Sequence, residues 1–207
     1  MAAIELGPGL VHLPERLDRE AQAALAGALA DVMAAAPPFR PRMPRTDKPF
    51  SVAMTNCGPL GWVSDVSGYR YQDKHPDSGE PWPPIPQALL DLWDAVARFD
   101  HRPEACLVNV YEAGARMGLH QDRDEAALDA PVVSVSLGDT AVFRIGGLSR
   151  GDRTRSVRLS SGDVVVMAGP GRLVFHGVDR VIAGSSRLLP GGGRINCTLR
   201  RVTIPTG

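Results

Sequence analysis

Cysteine is scarce in this 207-residue chain: Cys57, Cys106 and Cys197 are three, an odd number, widely spaced and without a C-x-x-C pair. That pattern excludes a disulfide framework and a cysteine-rich zinc site, and it reads as reduced thiols in a reducing, cytoplasmic compartment. Long apolar runs are missing too. No stretch approaches the roughly 20 residues that a membrane-spanning helix needs, so no membrane association is expected. The N-terminus lacks the basic and apolar regions of a signal peptide, which leaves the sequon Asn196-Cys197-Thr198 without consequence. Charge of one sign is not in excess either, since 23 basic residues balance 23 acidic ones. Such a balance argues against strong nonspecific attraction to nucleic acid. Basic residues nevertheless gather locally. Arg40, Arg42, Arg45 and Lys48 have only Asp47 among them, and Arg144, Arg150, Arg153, Arg155 and Arg158 only Asp152. Taken alone, each cluster is an exposed loop or strand edge.

The length suits one domain, and neither repeats nor a Gly/Ser linker divide it. Asp18 can cap a helix whose apolar positions (Ala21, Leu25, Ala28, Leu29, Val32, Met33) follow helical spacing until Pro37-Pro38 stops it. A second helix is expected from near Pro86, with Leu89, Leu92, Trp93, Val96 and Phe99 on its buried face. Beyond Ala105 the pattern changes to short strands, expected at 107–111, 115–120, 131–137, 140–145, 156–160, 163–168, 172–176 and 194–202. Short strands joined by Gly-rich turns predict a β-rich α+β chain with a double-sheet jelly roll, a barrel able to hold a metal in its mouth. Between the halves, Asn56 to Pro86 reads as a long irregular segment, hence a lid or binding loop. Its aromatics Trp62, Tyr69 and Tyr71 either anchor it to the core or offer a stacking surface for a base.

The chemistry-bearing residues lie in the β-rich half. His120 and Asp122 are two apart, and His176 follows 56 residues after His120. Two imidazoles and one carboxylate are the set that holds Fe(II) on one face and leaves other positions open. In Arg194-Ile195-Asn196-Cys197-Thr198-Leu199-Arg200 polar and apolar residues alternate, which marks a strand with one solvated or functional face. The two arginines are roughly 20 Å apart along the backbone. Their side chains can lean together and leave a gap that fits a short dicarboxylate. Asn109 and Tyr111 share a face on another strand and can complete that pocket.

These motifs resemble the AlkB family of Fe(II)/2-oxoglutarate dioxygenases, bacterial DNA-repair type. The matching segments are MTNCGPLGWVSDVSGYRY, GEPWPPIP, NVYEAGARMGLHQDRDE, PVVSVSLGDTAVFRIGGLSR, GDVVVMAGPGRLVFHGV and RINCTLR, so the resemblance spans roughly residues 50 to 201. It implies a double-stranded β-helix core at 105–203, a nucleotide-recognition lid at 51–86 and an N-terminal helical segment at 1–50, all within one domain, 1–207. His120, Asp122 and His176 would bind Fe(II), with 2-oxoglutarate and O2 as co-substrates. By the same resemblance, Arg194 grips the distal carboxylate of 2-oxoglutarate with Tyr111 and Asn196, while Asn109 and Arg200 lie near its other end. Met54, Trp62, Tyr69, Asp124 and Arg150 match substrate-contacting positions, and the basic clusters become phosphate contacts.

The activity so implied is oxidative demethylation of 1-methyladenine or 3-methylcytosine in DNA, by preference single-stranded, with release of formaldehyde. RNA is a further possible partner, and the enzyme is expected to be a monomer. The alternative is a 2-oxoglutarate oxygenase acting on RNA, a protein or a small molecule. One departure stands out: Met167 occupies a site where close members of that family often carry Trp.

Overall fold

The computed structural model describes residues 2–205. The N-terminal third runs through strands β1 (Ile4–Gly7) and β2 (Leu10–Leu13), helix α1 (Arg19–Ala35), then β3 (Ala53–Cys57), β4 (Gly61–Asp65) and β5 (Gly68–Gln72). Helix α2 (Gln87–Val96) follows, then β6 (Ala105–Tyr111), β7 (Met117–His120), β8 (Val132–Gly138) and β9 (Thr140–Ile145). The chain ends through β10 (Arg155–Leu159), β11 (Val164–Met167), β12 (His176–Ile182) and β13 (Arg194–Arg200).

A seven-stranded sheet in the order β1-β2-β11-β8-β13-β6-β3 faces a four-stranded sheet in the order β10-β9-β12-β7. This is the expected jelly roll. The helices cover the outer face of the large sheet. Asp18 caps α1 as its position predicts, its side chain accepting a hydrogen bond from the Ala21 N–H at 2.9 Å. Leu25, Leu29 and Val32 of α1 and Leu89, Leu92 and Trp93 of α2 pack against Val133, Val135, Cys197 and Leu199. Burying each such side chain contributes about 1.5–3 kcal/mol, so this layer supplies much of the stability. The second core, with Leu107, Phe143, Ile145, Val165 and Met167, lies between the two sheets.

Three differences from the sequence reading have physical causes, and one alternative it left open is decided. Segment Asn56–Pro86 is not irregular throughout, because β4 and β5 form a hairpin in register from Gly61↔Gln72 to Asp65↔Gly68. Its Trp, Val and Tyr residues and the turn between Asp65 and Gly68 were the available signal. Strands β1 and β2 are only four residues each. They exist because β2 pairs with distant β11, which no local pattern reveals. The strand expected at 172–176 begins instead at His176, and an irregularity between Val178 and Arg180 blurs its alternation. Finally, β13 has no solvated face. All seven of its residues are buried, so its polar side is an interior surface.

Candidate active site

The interior polar surface follows from register. Arg194, Asn196 and Thr198 of β13 sit opposite Tyr111, Asn109 and Leu107 of β6, and Asn196 and Thr198 also sit opposite Ser136 and Ser134 of β8. Across the barrel, His176 at the start of β12 is the direct partner of His120 at the end of β7. Their ring centroids are 4.5 Å apart. Gly177 permits this approach, since a Cβ there would meet the Met117 and Gly118 carbonyl oxygens at 2.6 and 2.7 Å.

Asp122 lies just past β7 and brings its carboxylate to both rings, with Oδ1 3.6 Å from His120 Nε2 and Oδ2 3.9 Å from His176 Nε2. Among the described residues, these three are the His/Cys/Asp/Glu group whose ligand atoms converge as a metal requires. Each imidazole uses Nδ1 on a backbone carbonyl two residues back, Gly118 at 2.9 Å and Val174 at 3.0 Å. That contact leaves both Nε2 atoms facing Asp122 with lone pairs free for a metal. Burial, then the neighbouring His120, pushes the His176 pKa down to about 4, so it is a neutral ligand at neutral pH. Burial alone would raise Asp122. The charge of Arg200, with His176, His120 and Arg172 behind it, outweighs burial and holds the carboxyl below its usual range. Two neutral nitrogens and one anionic oxygen suit Fe(II).

Arg200 makes this pairing directly, with Nη2 3.0 Å from Asp122 Oδ1 and Nε 3.3 Å from Oδ2. The gap between two guanidinium forks expected from the sequence is therefore one-sided. Arg200 is committed to carboxylates of the protein, and Arg194 is not. Arg194 is 2% exposed, donates through Nη2 to Ser136 Oγ at 3.1 Å and lies 5.0 Å from the Tyr111 ring centroid. Among the described residues its Nε and Nη1 have no partner, and neither has the side-chain oxygen of Asn109. Burial lowers the Arg194 pKa from its ordinary value, the sign of a charge removed from water. A buried guanidinium with two idle donors calls for an anionic acceptor. The terminal carboxylate of 2-oxoglutarate answers that need, so these residues fit the co-substrate. Asn196 donates to Ser134 Oγ and the Val135 carbonyl at 2.8 and 2.9 Å, and it accepts from Thr198.

A cavity of about 640 Å³ joins these groups to the hairpin β4–β5, room enough for a co-substrate and a base side by side. Trp62 and Tyr69 stack over it, with centroids 5.6 Å apart and planes 20° from parallel. They are diagonal neighbours on one face of the hairpin. The Trp62 indole N–H donates to Asp124 Oδ2 at 2.8 Å. Met54 and Met167 line the inner wall and are almost wholly buried. Met167 thus packs beside the cavity, where its flexible thioether fills space a larger ring could take. Arg150 stands at the rim with its guanidinium carbon 5.1 Å from the Phe175 ring centroid.

Sequence reasoning missed Glu125 and Arg172. Arg172 is fully buried and ties the Ala130 and Asp122 carbonyls to Glu125. The acidic run Asp122-Arg123-Asp124-Glu125 was a signal for Glu125. Nothing in PGRLVF marks Arg172 as interior.

Comparison with known proteins agrees with this geometry. The model of the 2OG-Fe(II) oxygenase superfamily matches residues 9–200. The chain is 59% identical over 196 residues to the alpha-ketoglutarate-dependent dioxygenase AlkB homolog of Caulobacter vibrioides, covering 94% of this chain and 88% of that one. It is 46% identical over 151 residues to alpha-ketoglutarate-dependent dioxygenase AlkB of Escherichia coli, covering 71% and 70%. The solved structure of OsALKBH1 superposes with a TM-score of 0.82 at 31% identity, covering 97% of this chain and 100% of that one. A prolyl-4-hydroxylase from Pseudomonas putida, at 16% identity and a TM-score of 0.54, covers 93% and 92% and shares the fold.

Proposed function

Because the chain belongs to the AlkB family, within the 2OG-Fe(II) oxygenase superfamily, we propose that it oxidatively dealkylates the bases of alkylated nucleic acids, with 1-methyladenine and 3-methylcytosine in single-stranded DNA as preferred substrates. The carrying observation is one cavity that joins the His120, Asp122 and His176 ligand set, the idle donors of Arg194, and the aromatic pair Trp62 and Tyr69. In this reading the histidines and Asp122 hold Fe(II). Arg194, with Tyr111 and Asn196, holds the distal carboxylate of 2-oxoglutarate, while Asn109 and Arg200 border its other end.

Iron and 2-oxoglutarate, when bound, supply with O2 the two-electron oxidation that puts one oxygen atom into a methyl C–H bond and the other into succinate, with loss of CO2. The N-hydroxymethyl base then loses formaldehyde as its N–C bond breaks and the ring nitrogen keeps the electron pair. The protein's own side chains bind and orient. Both proposed lesions carry the methyl group on the Watson–Crick edge, beside an exocyclic amine, so the base must leave any stack. Trp62 and Tyr69 offer it a stacking surface, the Asp124 carboxylate an acceptor for that amine, and Met54 a dry wall. Within the single unit 1–207, we assign base recognition to 51–86 and catalysis to 105–203. The same reading makes the protein a cytoplasmic monomer. No helix among the described residues is long and apolar enough to cross a membrane.

RNA remains a second substrate class on one observation: the relative at 34% identity from Schizosaccharomyces pombe is a tRNA demethylase. The test is anaerobic loading with Fe(II), then 2-oxoglutarate, oxygen and a short single strand of DNA or RNA carrying one 1-methyladenine. Methyl loss is followed by mass spectrometry beside formaldehyde and succinate. Demethylation coupled to succinate is expected. Succinate without demethylation would keep the oxygenase and remove the base substrate.

Trp62→Ala should raise KM for the methylated strand about tenfold, the worth of one base stack, and leave KM for 2-oxoglutarate nearly unchanged. Equal losses in both would reduce Trp62 to a structural anchor.

In the first basic cluster two of the four residues are paired, while Arg45 and Lys48 have no acidic partner among the described residues. Arg40 is paired with Glu112 and Arg42 with Asp47. By contrast, none of Arg144, Arg150, Arg153, Arg155 and Arg158 has an acidic partner among the described residues. They lie on β9, β10 and the connection between them. Arg155 is in register with Ile145, which also partners His176, so it lies about 10 Å from that ligand at the backbone. This hairpin suits phosphates flanking the extruded base. Changing Arg155 to Ser should lower the salt dependence of strand binding by one phosphate contact's worth, a slope change of about 0.7, whereas Arg158→Ser, on the opposite face of β10, should leave it unchanged. An unchanged slope in Arg155→Ser would remove the hairpin from the interface.

A further inference from the structure

Two consecutive acids downstream of Asp122 receive the recognition hairpin. Trp62 and Tyr71 are direct cross-strand partners on β4 and β5. Trp62 donates to Asp124 at an exposed position, and the Tyr71 hydroxyl donates to Glu125 Oε1 at 2.5 Å at a part-buried one. Glu125 is 6% exposed and has both oxygens engaged. Its Oε1 also lies 3.4 Å from Arg200 Nε, and its Oε2 accepts from Arg172 Nη2 at 3.0 Å. Arg200 grips the Asp122 carboxylate, and Arg172 grips the Asp122 backbone carbonyl. The result is a closed circuit of two guanidiniums and two carboxylates, with the hairpin attached to it at Glu125.

We infer that Glu125 is a positioning residue that holds the recognition hairpin and the metal-ligand carboxylate in one fixed relation. The two hairpin contacts differ in kind. A base amine can compete for Asp124, because the Trp62 bond is solvated. The Tyr71 bond is part-buried and ends on the buried Glu125 carboxylate, so it remains as the fixed point when Trp62 lets go. The charge balance has a second consequence. With Glu125 neutralised, Arg172 and Arg200 share one carboxylate, and the surplus positive charge opposes a divalent cation at His120, Asp122 and His176. Glu125 therefore acts toward the lid through Tyr71 and toward the metal through the two arginines. Only its effect on the methylated strand rests on the demethylase reading.

The test uses the full chain as Tyr71→Phe, Glu125→Gln and the double variant. Iron retention on dialysis, KM for 2-oxoglutarate, KM for a methylated single strand and amide hydrogen exchange over 61–72 are measured in each. Tyr71→Phe keeps the ring and removes only the lid bond. It should raise KM for the strand about fivefold, as loss of one hydrogen bond does. It should also speed exchange in the hairpin while leaving iron retention unchanged. Glu125→Gln should do the same and also weaken iron retention about tenfold, as loss of a group supporting a ligand does. The double variant should be no worse toward the strand than the worse of the two single variants, because Tyr71→Phe removes the link through which Glu125→Gln acts.

Additive losses in the double variant, or wild-type exchange in Tyr71→Phe, would overturn the inference. So would a loss of iron in Tyr71→Phe equal to that in Glu125→Gln, the mark of general loosening. If wild-type protein demethylates no strand, the demethylase reading fails, and the exchange and iron measurements still decide the role of Glu125. If Glu125→Gln does not fold, exchange in Tyr71→Phe decides it.

Discussion

Asp122→Asn is expected to abolish turnover, by a factor on the order of 10³ or more, and to release iron on dialysis. Asparagine keeps the shape of the side chain, so packing is preserved and the lost property is charge. Asp122 is the one anion in the ligand set and is held ionised by Arg200. Its pKa is depressed in the folded protein, so its stabilising contribution is complete above the unfolded carboxyl pKa of about 4. That contribution is lost only as pH falls further, and at neutral pH the substitution removes all of it. Breaking a buried ion pair from one side costs about 3–5 kcal/mol. The partner Arg200 keeps Glu125 at 3.4 Å, which softens the loss. The variant should therefore fold with a lowered Tm. Iron content, succinate formation and thermal denaturation report the three effects separately. An Asp122→Asn protein that holds one iron and turns over would overthrow the metal assignment.

Arg194→Met has a smaller though still large expected effect on activity, and one of opposite sign on stability. KM for 2-oxoglutarate should rise on the order of 10²-fold, the loss expected when a buried charge is removed from its ionic partner. The ligand-free protein should not lose stability and should gain some. Arg194 is buried with two donors unpaired, and holding such a charge out of water is costly. Methionine fills similar volume without that charge, which offsets the lost Ser136 hydrogen bond of about 1 kcal/mol. Adding 2-oxoglutarate should raise the Tm of the wild type, since a ligand that binds only the folded state stabilises it. It should not raise that of Arg194→Met. A variant with a lower Tm and unchanged response to 2-oxoglutarate would make Arg194 a structural residue.

Local pattern carried much of this architecture. Asp18 and Pro37-Pro38 bound α1 because capping and the missing proline N–H act over a few residues. The alternation in RINCTLR located β13 because side-chain direction follows a period of two wherever a strand forms. What covers each face is a different matter. The polar side of β13 looked solvated or functional, and it is interior because the smaller sheet lies over it. Hairpin β4–β5 was hidden for another reason. Its Gly, Ser and Asp content resembles a loop, and its aromatics show their alternation only once the strands pair.

The sequence by itself determined the chemistry available: two histidines and an aspartate at strand ends, arginines spaced along one strand, and aromatics ahead of them. Spacing within a strand is local, so His120 with Asp122, and Arg194 with Asn196, were legible as pairs. Tertiary structure alone decided which charges meet. It set Arg200 on Asp122 and left two donors of Arg194 idle, although both arginines occupy the same face of the same strand. It also brought Arg172 and Tyr71 to Glu125 from 47 and 54 residues away in sequence. Ion pairs inside a protein depend on distance and on exclusion of water, and both are set by strands that are neighbours in space and remote along the chain.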